Sequence, residues 1–123
     1  MKKPTGRTRK IADVMQREIA DLVCTEVHDP RVVGITLTGV DVAPDLSHAK
    51  VFVTDLAGRK HALGACKALN HAARFLRRYL IQRLQLRHIP DLRFCYDESV
   101  EQGAKIDALI RRARTEDDSH GRD

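Results

Sequence analysis

Ile11, Met15, Ile19 and Leu22 recur at i, i+4, i+8 and i+11, with Ala12 and Val23 beside them. On a helix turning about 100° per residue they form a single apolar stripe. Asp13, Arg17 and Asp21 line the far side in i,i+4 steps. Asp29-Pro30 stops the helix, because the residue before a proline is pushed out of the helical region. The spacing predicts a first helix over residues 9–27, with Thr8 as a candidate N-cap and residues 1–8 as a flexible leader.

The period then shortens to two. Ile35 and Leu37 alternate with Thr36 and Thr38, whereas Val40 and Val42 have the opposite parity. Gly39 sits at the change, where a β-bulge would return all four apolar side chains to one face. Ala43 to Ser47 supplies turn chemistry, and Ala49, Val51 and Val53 alternate with Lys50, Phe52 and Thr54, so a two-strand hairpin is expected. From about His61 the helical period returns through Ala62, Ala65, Cys66 and Leu69 to Phe75, Leu76, Tyr79 and Leu80. No proline or glycine interrupts residues 65–89, so one long helix and two helices joined at Ala72-Ala73 both fit. After Pro90, Leu92, Phe94 and Tyr96 alternate with Arg93 and Cys95 as a third strand. Ser99 and Gln102 then form a capping box for a short helix. The order is α-β-β-α-α-β with a short C-terminal helix, an α+β domain over residues 9–112, followed by a disordered polar tail at 113–123.

Charge changes this picture. The chain has a formal charge of +5, which points to an anionic partner only if the cations cluster. They do: residues 59–93 hold nine basic side chains (Arg59, Lys60, Lys67, Arg74, Arg77, Arg78, Arg83, Arg87 and Arg93) against Asp91 alone, whereas residues 98–123 hold five against seven acids. With Arg74 at 0° on a helical wheel, Arg77 falls at about 300° and Arg78 at about 40°, while Phe75, Leu76, Tyr79 and Leu80 span about 100° to 240° as an expected core face. A helix face built only for solubility intersperses acids, because like charges at i,i+4 cost a few tenths of a kcal/mol. Seven of the nine cations are arginine, whose planar guanidinium can donate two hydrogen bonds to one phosphate. Arg83 and Arg87 fall at about 180° and 220°, in the continuation of the apolar arc. Either the helix bends or ends near Arg83, or these side chains snorkel past the core edge.

Other chemistry finds no pattern to stand on. His28, His48, His61, His71, His88 and His120 form no spaced metal motif, and there is no glycine-rich phosphate loop or nucleophile motif. Asp55 and Asp97 could meet at strand ends, which is too little for a catalytic dyad. No enzyme activity, metal or cofactor is therefore expected. Cys24, Cys66 and Cys95 are odd in number and widely spaced, as reduced thiols are. No apolar run reaches the length of a membrane span. Pro4, Thr5 and Gly6 occupy the place of a signal's apolar region, so a cytoplasmic protein is expected.

Four stretches together resemble the ribosome-binding factor A family of bacteria: "RKIADVMQREIADLV" (9–23), "DPRVVGITLTGVDVAPDLSHAKVFV" (29–53), "KALNHAARFLRRYL" (67–80) and "LRHIPDLRFCYDES" (86–99). The resemblance covers about residues 7–110. It implies a type II KH-like fold, a three-stranded sheet with helices on one face, and an RNA-binding, non-enzymatic role in late maturation of the small ribosomal subunit. The implied partners are 16S rRNA and the free 30S subunit, with a part in processing the rRNA 5′ end and greatest importance in the cold. Where ordinary KH domains carry a Gly-x-x-G loop, this family has an Ala-x-Gly kink between two helices. Its counterpart here is Ala72, Ala73 and Arg74, and an arginine in place of glycine implies a shallower kink. The expected reading is a monomer that holds rRNA phosphates through Arg74, Arg77 and Arg78. Lys67 and Lys60 extend that surface backwards, and Arg59, Arg31, Lys50 and Arg9 are further candidates. The alternatives are a basic face that docks an acidic protein, and a KH-like binder of messenger RNA.

Overall fold

Parallel pairing of two of the three strands governs the architecture in the computed structural model, which describes residues 6–120. Strand β1 (Ile35–Val42) pairs antiparallel with β2 (His48–Asp55), and β2 pairs parallel with β3 (Asp91–Tyr96), giving the sheet order β1-β2-β3. A parallel pair needs a crossover, and α2 (Arg59–His71) followed by α3 (Ala73–Leu84) makes it. Helix α1 (Gly6–Glu26) packs against β1 and against α3. In β2, Ala49, Val51 and Val53 are fully buried while Lys50 is exposed, so the helices cover one face of the sheet. This is an α+β, type II KH-like fold.

Three features of the hairpin and crossover set positions used below. The register passes from Leu37 opposite Val53 to Gly39 opposite Phe52, which leaves Thr38 as the extra residue of a bulge and accounts for the parity change in the sequence. Gly58 enters α2 at φ +108°, a conformation that side chains with a Cβ rarely adopt. Asn70, in the last turn of α2, accepts from the Phe94 amide (2.7 Å) and donates to the Phe94 carbonyl (2.8 Å), so its side chain pairs with β3 as a neighbouring strand would. That pair of bonds ties the C-terminal end of α2 to the sheet.

The core joins Met15, Ile19 and Leu22 of α1 to Leu69 of α2, Leu76 and Leu80 of α3, and Val51, Val53 and Phe94 of the sheet. Fully burying each of the larger side chains stabilises the fold by about 1.5–3 kcal/mol.

Several boundaries differ from expectation. Helix α1 is already formed at Gly6, and Thr8 is a buried side chain within it, not its cap. Residues 1–5 of the expected leader lie outside the described residues. The last helix, α4, is long: it runs over Glu98–His120 and takes in most of the expected polar tail. Asp97, not Ser99, caps it, accepting from the Ser99 amide at 3.0 Å. No proline interrupts the segment, Arg, Ala and Lys favour helix, and Asp107 and Arg111 stand at i,i+4, so local preference suffices to carry it onward. Residues 121–123 lie outside the described residues.

Candidate nucleic-acid interface

Two segments present cations along the crossover. In α2, Lys60 and Lys67 are seven residues apart and share the exposed side of the helix, opposite buried Ala62, Ala65, Cys66 and Leu69. The helix then breaks. Ala72 has φ −92° and ψ 4°, its amide donates to the carbonyls of Ala68 (3.2 Å) and Leu69 (3.1 Å), and α3 starts one residue later. Alanine can adopt this bridge-region conformation, so the interhelical break at Ala72-Ala73 forms without glycine. Two helices, not one, occupy the segment.

In α3 only Leu76 and Leu80 are buried, so the core face is narrower than the wheel suggests. Phe75 is 42% exposed and Tyr79 is half-buried against the core. Arg74, Arg78, Gln82, Phe75 and Tyr79 thus occupy an arc of about 140° on the outward side. The whole of α3 contains no carboxylate, its first turn has no acid, and no side chain caps it. No described residue pairs with Arg74 or Arg78. The unneutralised positive end of the helix dipole adds to their charge and favours an anion there.

Two other arginines of the segment, Arg77 and Arg83, have internal work. Arg77, expected beside Arg74 and Arg78 as a phosphate ligand, points the other way. Its Nε and one Nη donate to the Ile89 carbonyl at 3.0 and 2.9 Å, and Nε lies 3.5 Å from the Asp91 carboxylate. It ties α3 to the loop that leads into β3. Arg83 donates to Glu18 (3.0 Å) and Asp21 (2.6 Å) on α1, which explains its place at the edge of the apolar arc where the two helices meet. Arg87 is exposed in the loop after α3.

Two further candidates are also occupied. Arg31 makes a two-point contact with Asp29 (3.1 and 2.8 Å), and Asp29 also caps the single 3₁₀ turn Pro30–Val32 by accepting from the Arg31 amide. The hydrogen bonds from the Arg31 side chain and amide hold the Asp29 carboxyl down at about 2. Arg59 lies over the Tyr96 ring, 5.3 Å from its centroid, and 3.7 Å from Glu98. Lys50 stands beside Arg93 in the β2–β3 register on the sheet face away from the helices, so it cannot share a contact with α3. Arg9 is exposed on α1. The structure therefore sets Arg74 and Arg78 one turn apart on the outward side of α3, and Lys60 and Lys67 on the exposed side of α2. It sets Arg77, Arg59, Arg31 and Lys50 apart: the first two meet partners from the β3 region, Arg31 is held by its near neighbour Asp29, and Lys50 lies on the opposite sheet face.

The carboxylates that could have suggested catalysis serve turns. Asp55 accepts from the Ala57 amide (2.8 Å) and pairs with His61 Nδ1. The Ala57 bond and then His61 lower its pKa. Asp97 accepts from the Thr38 hydroxyl and caps α4. Among the described residues no three His, Cys, Asp or Glu side chains gather as a metal set, and no helix is long and apolar enough to cross a membrane.

The family model described as ribosome-binding factor A matches residues 7–110. A ribosome-binding factor A of Pseudomonas fluorescens is 48% identical over 124 residues, covering 98% of this chain and 92% of the relative. The crystal structure of ribosome-binding factor A from Thermus thermophilus superposes with a TM-score of 0.65 at 27% identity, over 72% of this chain and 93% of that one. A homology model of the Thermus thermophilus factor, fitted into the cryo-EM map of its complex with the 30S subunit, gives a TM-score of 0.62 at 26% identity, over 74% of this chain and 96% of that one.

Proposed function

The chain belongs to the ribosome-binding factor A family, and from that membership we propose that it binds the free 30S subunit by holding 16S rRNA phosphates on the outward arc of α3. The observation that carries this reading is the pair Arg74 and Arg78, exposed one helical turn apart, with no intramolecular partner among the described residues. A folded chain gains nothing from two adjacent unpaired guanidiniums, whereas each can donate hydrogen bonds to an RNA phosphate. Lys60 and Lys67 lengthen the basic track towards the break at Ala72, and Arg9 and Arg87 contribute at its margins. The fitting of a relative into a 30S complex supports the choice of partner.

Acting as a cytoplasmic monomer, the protein serves late maturation of the small subunit, including processing of the 16S rRNA 5′ end, and matters most at low temperature. It works by positioning rRNA and not by catalysis. The test is co-sedimentation with free small subunits. An Arg74→Glu/Arg78→Glu variant stays folded and no longer travels with the subunit. Wild-type association is lost on RNA digestion and survives stripping of ribosomal proteins. Undiminished co-sedimentation of the variant would reject the site, and association that survives nuclease would assign the arc to an acidic protein.

A further inference from the structure

Building on the RNA-binding reading of α3, we infer that Phe75, with Tyr79, Arg78 and Gln82 around it, is a stacking site for a single unpaired RNA base. The arc then takes a looped-out or single-stranded nucleotide in addition to backbone phosphates. Phe75 lies at about 100° on the helical wheel, between the cationic side of α3 and Tyr79, and 42% of it is exposed although the core of the same helix is one residue away. Its ring meets Tyr79 nearly at right angles (80°), with centroids 4.9 Å apart. In an edge-to-face pair at most one face of either ring is covered by the other, so at least one face of Phe75 is left open by Tyr79.

The surrounding hollow, lined by Phe75, Arg78, Tyr79 and Gln82, measures about 230 Å³. That is below the roughly 300–1,000 Å³ of sites for drug-sized ligands and suits one flat ring system. Its chemistry is that of a nucleotide. Phe75 and Tyr79 in its lining supply aromatic surface of the kind on which any base can stack. The Gln82 amide can donate to and accept from a base edge. Arg78, with Arg74 one turn before it, supplies charge for the attached phosphate, and neither arginine has a partner among the described residues. A base inside a duplex is stacked on both faces and cannot enter, so the hollow selects unpaired RNA.

The test uses the full chain with two RNAs, a short single strand carrying 2-aminopurine at one position and a hairpin duplex of the same composition. The expected result is that Phe75→Leu weakens binding of the single strand about 5- to 150-fold, the usual effect of losing one stacked base. The fluorescence change of the 2-aminopurine disappears as well. Phe75→Tyr restores both, duplex affinity stays at the wild-type value, and the salt dependence of single-strand binding keeps its slope because the phosphate contacts remain. Thermal melting of Phe75→Leu checks that an exposed position has been altered without unfolding the chain. Wild-type single-strand affinity in Phe75→Leu, alongside weakened binding by Arg74→Met/Arg78→Met, would overturn the stacking site and leave the phosphate reading standing. Equal weakening of strand and duplex would also overturn it. If Arg74→Met/Arg78→Met binds both RNAs like wild type, the phosphate reading fails and the stacking site falls with it.

Discussion

Replacing Arg77 by methionine separates the structural arginines of α3 from the outward-facing ones. Methionine keeps the apolar stem and removes the guanidinium. Two hydrogen bonds to the Ile89 carbonyl are lost, and hydrogen bonds to charged groups contribute about 1.5–3 kcal/mol. Ile89 is 1% exposed, so water reaches its neighbourhood poorly and the carbonyl is left without a good partner. The contact with Asp91 adds little, because at 3.5 Å and with that carboxylate 72% exposed it is a surface pair contributing about 0–1 kcal/mol. Arg77→Met is therefore expected to cost about 2–3 kcal/mol, or about 8–12 °C in Tm for a domain of this size. Arg74→Met and Arg78→Met, which break nothing inside the protein, stay within about 0.5 kcal/mol of wild type. Chemical denaturation and small-subunit binding measured on the same three variants form the assay. Arg77→Met loses stability and keeps binding at temperatures where it is folded; the other two do the reverse. A stable Arg77→Met that binds poorly would refute the division of labour drawn from the hydrogen bonds.

Two other outcomes follow from local chemistry. Asp29 titrates near 2 in the folded chain against an ordinary 3.8, so its contribution is complete above pH 4 and is lost as pH falls from about 4 to 2. Thermal denaturation from pH 2 to 6 should show that loss in wild type and not in Asp29→Asn, and parallel curves would contradict it. Burial, and then its neighbour Cys95, push the Cys66 thiol up to about 11, which leaves about a thousandth of it ionised at pH 8, whereas Cys24 is exposed. A thiol reagent at pH 8 should modify Cys24 quickly and Cys66 only after denaturant is added. Equal rates would show that α2 does not hold Cys66 in the core.

The parts of the fold that depend on neighbours along the chain were legible in the sequence. The stripe Ile11, Met15, Ile19 and Leu22 marked α1, and the parity change at Gly39 marked a bulge that the β1–β2 register places at Thr38. Contacts between distant segments were not legible. Arg77 and Arg78 are adjacent residues of one type, yet one reaches a backbone carbonyl of the loop before β3 and the other faces outward. Only the packing of α3 on that loop distinguishes them. Arg83 looked misplaced on the apolar arc because its acidic partners, Glu18 and Asp21, lie more than sixty residues earlier on α1. Phe75 was expected in the core from its place at the edge of the apolar arc, about 100° on the helical wheel, and is instead 42% exposed. Its angle next to Arg78 and Gln82 was the available sign that it faces the arc. The length of α4 was missed because its polar C-terminal half has no apolar period to read.

The proposed phosphate-holding role of Arg74 and Arg78 is tested most directly by the salt dependence of small-subunit binding. Each phosphate contact contributes about 0.7 (single strand) to 0.9 (duplex) to the slope of log affinity against log salt. Arg74→Met/Arg78→Met should therefore lower the magnitude of that slope by about 1.4–1.8 relative to wild type. Two parallel lines would mean that these guanidiniums do not meet phosphates.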